Sequence, residues 1–209
     1  MTDLRAQLRL YLVTDTALCS HHGLVQTVQQ AVDGGVSFVQ LRAKDATTSE
    51  RVDMACALKA ALVGTGVPLV INDDVAAAVK ADVDGAHIGQ GDISPERARA
   101  LLGPDKILGL SCETPRTVQA ADPGVVDYLG LGPVLGTATK TDHATPIGFD
   151  GLARLVALTS SPNVAIGGLK AVHQAQVFAA GADGQAVVSA ICGQNDPKAA
   201  AQEFNQTKV

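Results

Sequence analysis

Short apolar runs alternate along the chain with longer segments of helical periodicity. The apolar runs predict eight β-strands, at residues 8–13, 38–41, 69–71, 85–88, 107–110, 128–131, 164–166 and 185–188. Apolar side chains at helical spacing predict eight helices, at residues 24–32, 49–63, 75–81, 95–101, 115–121, 149–158, 171–180 and 197–204. Strands this apolar are typical of a parallel sheet covered by helices. Eight alternating units predict a single (β/α)8 TIM barrel over residues 1–209, and a doubly wound open sheet is the alternative.

Composition limits the core and the partners. Hydrophobic residues make up 46% of the chain, aromatics only 3%, and Trp is absent, so we expect an aliphatic core. The net charge of −5 and the lack of a Lys or Arg run argue against binding to nucleic acid or to an anionic membrane. No apolar run approaches the roughly 18 residues typical of a membrane span, and the first residues lack the apolar region of a signal peptide.

The four cysteines lie far apart and form no CxxC pair, which argues against a structural zinc site or a redox motif. We therefore expect a cytoplasmic protein with reduced thiols that acts on small molecules. Whether the chain is a monomer or a homodimer stays open.

Two aspartates follow neighbouring predicted strands. Asp73 comes directly after the third strand and Asp92 follows the fourth. In a barrel the carboxyl ends of the strands meet at one face, where active sites lie, so the two carboxylates are expected to converge. A cation held by two carboxylates keeps positions for water and substrate, which is how Mg²⁺ usually meets a diphosphate. We predict a Mg²⁺ site at Asp73 and Asp92, with Asp74 capping the next helix; the alternative is that the pair serves as a helix cap and a loop carboxylate.

Three polar residues alternate at the end of the second strand, namely Gln40, Arg42 and Lys44. Residues two apart in an extended strand point the same way, so an amide and two cations would enter the barrel mouth together. Arg offers a planar fork to phosphate oxygens and Lys a point charge. The pattern predicts phosphate binding; the alternative is a salt bridge to Asp73 or Asp92.

The connection after the sixth strand, residues 132–148, is unusually long and carries no apolar periodicity. Loops of this length in compact domains are usually functional or disordered. Thr137, Thr139 and Lys140 give it hydroxyls and a cation suited to an anionic ligand, over which it could close. The alternative is a mobile surface loop.

A second anion site is predicted after strands seven and eight. The pair Gly167 and Gly168 is expected to open the helix after strand seven, and Ser189 follows strand eight. Backbone N–H groups at helix N-termini bind phosphate, and these two loops form the usual phosphate site of barrel enzymes.

With these residues in place, the chain resembles the thiamine phosphate synthase family over nearly its whole length. Several motifs in the family's order carry the resemblance. They are YLVTD at 11–15, VQLRAK at 39–44, IND at 71–73, HIGQGD at 87–92, GP at 132–133, TATK at 137–140, AIGG at 165–168 and AVVSAI at 186–191.

The resemblance implies a (β/α)8 barrel that joins 4-amino-5-hydroxymethyl-2-methylpyrimidine diphosphate to a thiazole phosphate, giving thiamine phosphate and diphosphate. It implies that Asp73 and Asp92 bind Mg²⁺ and that Ser111 contacts the pyrimidine side. The pyrimidine diphosphate would be held by Gln40, Arg42, Lys44, Asn72 and Lys140. The thiazole phosphate would be held by Thr137, Thr139, Gly168, Val188 and Ser189. The catalytic groups would be Arg42, Lys44, Ser111 and Lys140.

Two other functions compete with this one. A related thiazole tautomerase would handle no diphosphate and would have little use for the aspartate pair. A catalytically silent phosphate-binding barrel would not need the full set of cationic and metal-binding groups. The presence of Asp73, Asp92, Arg42, Lys44 and Lys140 favours the synthase. The chain departs from the family's pattern after Ser111, where it has Cys112 and Glu113 instead of a small residue or His.

Overall fold

The described chain, residues 3–137 and 145–206 of a computed structural model, folds as a closed parallel β-barrel. Its strands pair in chain order, and the last pairs with the first. The strands are β1 Leu10–Val13, β2 Phe38–Leu41, β3 Leu69–Asn72, β4 Gly85–Ile88, β5 Ile107–Cys112, β6 Tyr128–Leu131, β7 Asn163–Ile166 and β8 Gly184–Val187. The prediction of a TIM barrel is confirmed, and the open sheet is wrong.

Helices surround the barrel, and the first of them packs its Leu4 against the cluster of side chains inside it. They are α1 Leu4–Gln7, α2 Leu24–Asp33, α3 Thr48–Ala61, α4 Val75–Ala81, α5 Pro95–Leu102, α6 Pro115–Ala120, α7 Gly148–Val156, α8 Gln174–Ala179 and α9 Pro197–Gln206. Two differences from the predicted elements stand out. The first strand begins at Leu10 and not at residue 8, because the short α1, capped by Asp3, precedes it. The predicted helix at 171–180 begins as a 3₁₀ turn, Ala171–His173, which α8 follows.

Two apolar layers stabilise the barrel. The layer between strands and helices is mainly aliphatic, as expected from the composition, and includes Phe204 and three cysteines among its buried residues. The interior of the barrel differs, because three of the chain's few aromatic residues meet there: the rings of Tyr11 and Phe38 lie 4.5 Å apart and those of Phe38 and Tyr128 5.6 Å apart. The expectation of a wholly aliphatic core is therefore wrong for the interior. In the described part of the chain, no helix has the length and apolar character needed to cross a membrane.

Candidate functional site

A cavity of about 470 Å³ opens at the carboxyl ends of the strands. The side chains and backbone that line it include every predicted site residue that the structure describes. These are Gln40, Arg42, Lys44, Asn72, Asp73, Asp92, Ser111, Thr137, Gly168, Val188 and Ser189. Thr139 and Lys140 lie outside the described residues. Sequence position after a strand was thus enough to bring these groups to one cavity.

The two predicted metal ligands lie next to each other in this cavity. Asp73 adopts a left-handed backbone conformation, with φ of 64°, and its Oδ2 accepts a hydrogen bond from Asn72 Nδ2 at 2.6 Å. The Asp92 carboxylate accepts from the backbone N–H of Gly89 at 2.7 Å. Asp74, and not Asp73, caps α4 by accepting from Ala77 N at 2.9 Å. The cap role that competed with the metal role for Asp73 is therefore taken by its neighbour.

The pair concentrates negative charge, which Arg42 offsets only in part at Asp73. The pKa of Asp73 rises to about 6, because the surrounding protein removes water from its carboxyl, although one side stays exposed to the cavity, and because the Asp92 carboxyl lies beside it. In the described part of the chain, no three His, Cys, Asp or Glu side chains gather into a metal cluster. Two carboxylates suit Mg²⁺, because the ion would keep coordination positions for water and substrate phosphates. A divalent cation would also relieve the repulsion between the two carboxylates.

Arg42 projects beside this pair. Its side chain is only 11% exposed, and its guanidinium lies 3.6 Å from the carboxylate of Asp15, which follows β1. Its backbone N–H donates to Thr14 Oγ1 at 3.0 Å. The predicted alternative, a salt bridge to Asp73 or Asp92, is wrong, because the ion pair forms with Asp15. Asp15 was overlooked as a functional residue, although it follows a strand just as the chosen residues do.

Arg51 on α3 is a second residue that sequence reasoning missed. Its guanidinium donates to the carbonyl oxygens of Ala43 and Lys44, each at 3.1 Å, and lies 3.1 Å from the carboxylate of Asp74. It therefore ties the loop that carries the two cations to the loop that carries Asp73. An arginine inside a helical pattern gives no signal of such a bridge.

The opposite side of the cavity is built from backbone. Gly167 and Gly168 have φ of 107° and 63°, and a Cβ on Gly168 would lie 2.4 Å from the carbonyl oxygen of Gly136. Within the described residues, the backbone N–H groups of Gly168 and Ser189 donate no hydrogen bond to the protein. The prediction that the glycine pair opens a helix is wrong, because the 3₁₀ turn that follows begins only at Ala171. The anion-binding capacity of this side rests on free loop N–H groups instead.

Ser111 closes the floor of the cavity. Its Oγ lies 2.9 Å from Nε2 of His87, and its carbonyl oxygen accepts from Gln90 Nε2 at 2.7 Å. The two residues that depart from the family pattern have different surroundings. Glu113 lines the cavity, whereas Cys112 is fully buried and its thiol faces the carbonyl oxygen of Thr117. Burial raises the pKa of the Cys112 thiol to about 11, so it is not a reactive group of the site.

The chain is similar to known proteins over most of its length. Residues 10–191 match the sequence model of the family described as thiamine monophosphate synthase. The chain is 53% identical over 198 residues to the thiamine-phosphate synthase of Psychrobacter sp. (strain PRwf-1), covering 93% of this chain and 92% of that protein. It is 52% identical over 195 residues to that of Xanthobacter autotrophicus, with the same coverage.

Solved structures give the same result. Thiamine phosphate pyrophosphorylase from Pyrococcus furiosus superposes with a TM-score of 0.88 at 32% identity, covering 98% of this chain and 96% of that one. A 3-hexulose-6-phosphate synthase superposes with a TM-score of 0.69 at 16% identity, covering 94% and 97%, and at that identity it shares the fold alone.

Proposed function

The chain belongs to the thiamine monophosphate synthase family, and we propose that it joins 4-amino-5-hydroxymethyl-2-methylpyrimidine diphosphate to 4-methyl-5-(2-phosphoethyl)thiazole or its carboxylated form. As a member of this family it is a transferase of thiamine biosynthesis that acts on small molecules. One observation carries the choice of substrates: a single cavity has cations and a carboxylate pair on one side and free backbone N–H groups on the other. Two anionic reactants could bind there together.

Mg²⁺ is part of the proposal. Asp73 and Asp92 would hold the ion, and the open positions of its shell would take water and diphosphate oxygens. When bound, Mg²⁺ would supply positive charge against the negative charge that builds on the leaving diphosphate.

The chain's own residues would do the rest by position and charge. Arg42 and Lys44 would bind the diphosphate and stabilise its developing charge, with Arg42 held in place by Asp15. Departure of diphosphate would leave a cation on the pyrimidine methylene, which the thiazole nitrogen would capture. The loop N–H groups of Gly168 and Ser189 would hold the thiazole phosphate so that this nitrogen faces the reacting carbon. This scheme requires no enzyme nucleophile.

The direct test is turnover. Purified protein is incubated with Mg²⁺ and both substrates, and thiamine phosphate is sought by mass spectrometry with an EDTA control. We expect product that disappears when EDTA is present. Binding of both substrates without product would contradict the proposed reaction, and product in EDTA would contradict only its dependence on the metal.

Replacement of Gly168 by alanine should weaken binding of the thiazole phosphate selectively. The added Cβ would meet Gly136 O, and the positive φ disfavours alanine, so the loop and its N–H group must move. We expect the KM for the thiazole phosphate to rise about tenfold, as for loss of one charge-assisted hydrogen bond, and the KM for the pyrimidine diphosphate to change little. Steady-state kinetics with each substrate varied in turn measure both, and an equal rise in the two KM values would contradict the assignment.

The affinity for Mg²⁺ should fall as the pH drops through about 6. A carboxylate must lose its proton to bind a cation, and the raised pKa of Asp73, about 6, means that protons compete in this range. Binding is expected to be full well above pH 6 and to weaken by about tenfold per pH unit below it. Calorimetry in two buffers of different ionisation heat should show proton release near pH 6 and little near pH 8. Asp73→Asn should abolish that release, and an affinity equal at pH 5 and pH 7 would refute the linkage.

A further inference from the structure

A chain of polar groups crosses the otherwise apolar interior of the barrel below the cavity. Gln40 Nε2 donates to the Tyr11 hydroxyl at 3.0 Å, and that hydroxyl lies 2.7 Å from the Tyr128 hydroxyl. The Tyr128 hydroxyl lies 2.9 Å from Nδ1 of His87, whose Nε2 lies 2.9 Å from Ser111 Oγ. The two ends, Gln40 and Ser111, both line the cavity. Two predicted substrate contacts from opposite sides of the barrel are therefore joined through its floor.

The protons along this chain can be placed by counting donors. Complete burial raises the pKa of Tyr11 and of Tyr128, so both phenols are neutral and each has one proton to give. Tyr11 accepts from Gln40, and the acceptor that lies within reach of its own proton is the Tyr128 oxygen, 2.7 Å away, so that proton is assigned to the bond with Tyr128. The proton of Tyr128 then points to Nδ1 of His87, which must accept it.

The consequence reaches the cavity. A neutral imidazole that accepts at Nδ1 carries its proton at Nε2, so His87 donates to Ser111 Oγ. Ser111 Oγ then accepts one hydrogen bond from below and keeps its own proton, which it can donate to an acceptor atom of a ligand in the cavity. The reverse order would have Ser111 donate to His87 and present only lone pairs to a ligand.

Glycines in the neighbouring strands make room for this chain. A Cβ on Gly109 would lie 2.2 Å from Cζ of Tyr128 and 2.4 Å from Nδ1 of His87, at the position of their hydrogen bond. A Cβ on Gly130 would lie 3.2 Å from Cε1 of His87. The imidazole and the phenol therefore occupy space that any other residue at position 109 would fill.

We propose that Tyr128 and His87 are positioning residues, which fix Ser111 as a hydrogen-bond donor toward an acceptor atom of the pyrimidine diphosphate. The ligand part of this assignment rests on the proposed function, whereas the proton order belongs to the free protein. Neither residue needs to touch the reacting atoms.

The proton order is tested by NMR on protein labelled with ¹⁵N-histidine and free of ligands. Long-range ¹H–¹⁵N correlation spectra report which ring nitrogen of a histidine carries the proton, and His87→Asn identifies the His87 signals by their loss. We expect the Nε2–H form in the wild type. In Tyr128→Phe the donor to Nδ1 is lost and the signals should shift toward a mixture of forms. Tyr11→Phe is the matched control, because it removes a hydroxyl from the same layer but leaves Tyr128 bonded to His87, so the Nε2–H form should persist.

Kinetics test the consequence for the ligand. Tyr128→Phe should lower kcat/KM for the pyrimidine diphosphate about tenfold, equivalent to about 1.4 kcal/mol, with the KM for the thiazole phosphate little changed. Tyr11→Phe should cause a smaller loss. An Nδ1–H form in the wild type, or equal effects of the two variants on His87 and on kcat/KM, would overturn the proposal. A wild-type protein without turnover would count against the proposed function, and the spectra would still decide the proton order.

Discussion

Replacement of Asp92 by alanine is expected to abolish most Mg²⁺-dependent turnover while the barrel stays folded. The Asp92 side chain is exposed at the cavity and contributes no apolar packing, so its loss removes a cation ligand and one hydrogen bond to Gly89. Metal ions contribute several kcal/mol to such reactions, so we expect kcat/KM to fall about 100-fold or more.

A second variant separates the hydrogen bond that Asp92 accepts from its loop from the negative charge that it offers to a metal ion. Asp92→Asn keeps an oxygen that can accept from Gly89 N–H but removes the charge, so it should lose nearly as much activity as the alanine variant. Asp105→Ala is a matched control, because Asp105 is an exposed carboxylate that precedes β5, at the opposite end of the barrel. Circular dichroism and thermal unfolding should match wild type in all three variants. Near-normal kcat/KM in Asp92→Ala would end the metal assignment.

The residues that could be predicted share one property, namely that they are polar or charged positions shortly after the end of an apolar strand. Asp73, Asp92 and Arg42 are charged where the pattern ends, and closure of the barrel brings all such positions to one face. The strand pattern also predicted the closed barrel, because eight apolar runs in regular alternation leave few other ways to bury them.

The groups that could not be predicted are those whose role depends on a partner far along the chain. Tyr11 and Tyr128 are separated by 117 residues and appear in the sequence as ordinary members of apolar strands. Whether they meet depends on which face of each strand points inward, and therefore on the register of the closed barrel. Arg51 is missed for the same reason. Its acceptors lie in two loops, and in the pattern of its own helix it is simply one polar position among others.

Replacement of Arg42 by alanine should weaken the pyrimidine diphosphate far more than the thiazole phosphate. Arg42 lies on the carboxylate side of the cavity, whereas the free N–H groups of Gly168 and Ser189 lie on the other. Loss of charged hydrogen bonds costs about 1.5–3 kcal/mol, so we expect the Kd of the diphosphate to rise about 10- to 100-fold. The Kd of the thiazole phosphate should change less than about threefold. Isothermal titration with each ligand separately measures both values.

Two further variants show whether the fork of the guanidinium or only its charge is needed. Arg42→Lys keeps the charge but loses the paired donors, so it should recover only part of the lost affinity. Asp15→Asn removes the partner that holds Arg42 at 3.6 Å while leaving the guanidinium in place, and it should weaken the diphosphate less than Arg42→Ala does. If Arg42→Ala raised both Kd values equally, the cavity would not have two separate anion sites, because a charge that served one reactant alone could not act on both to the same extent.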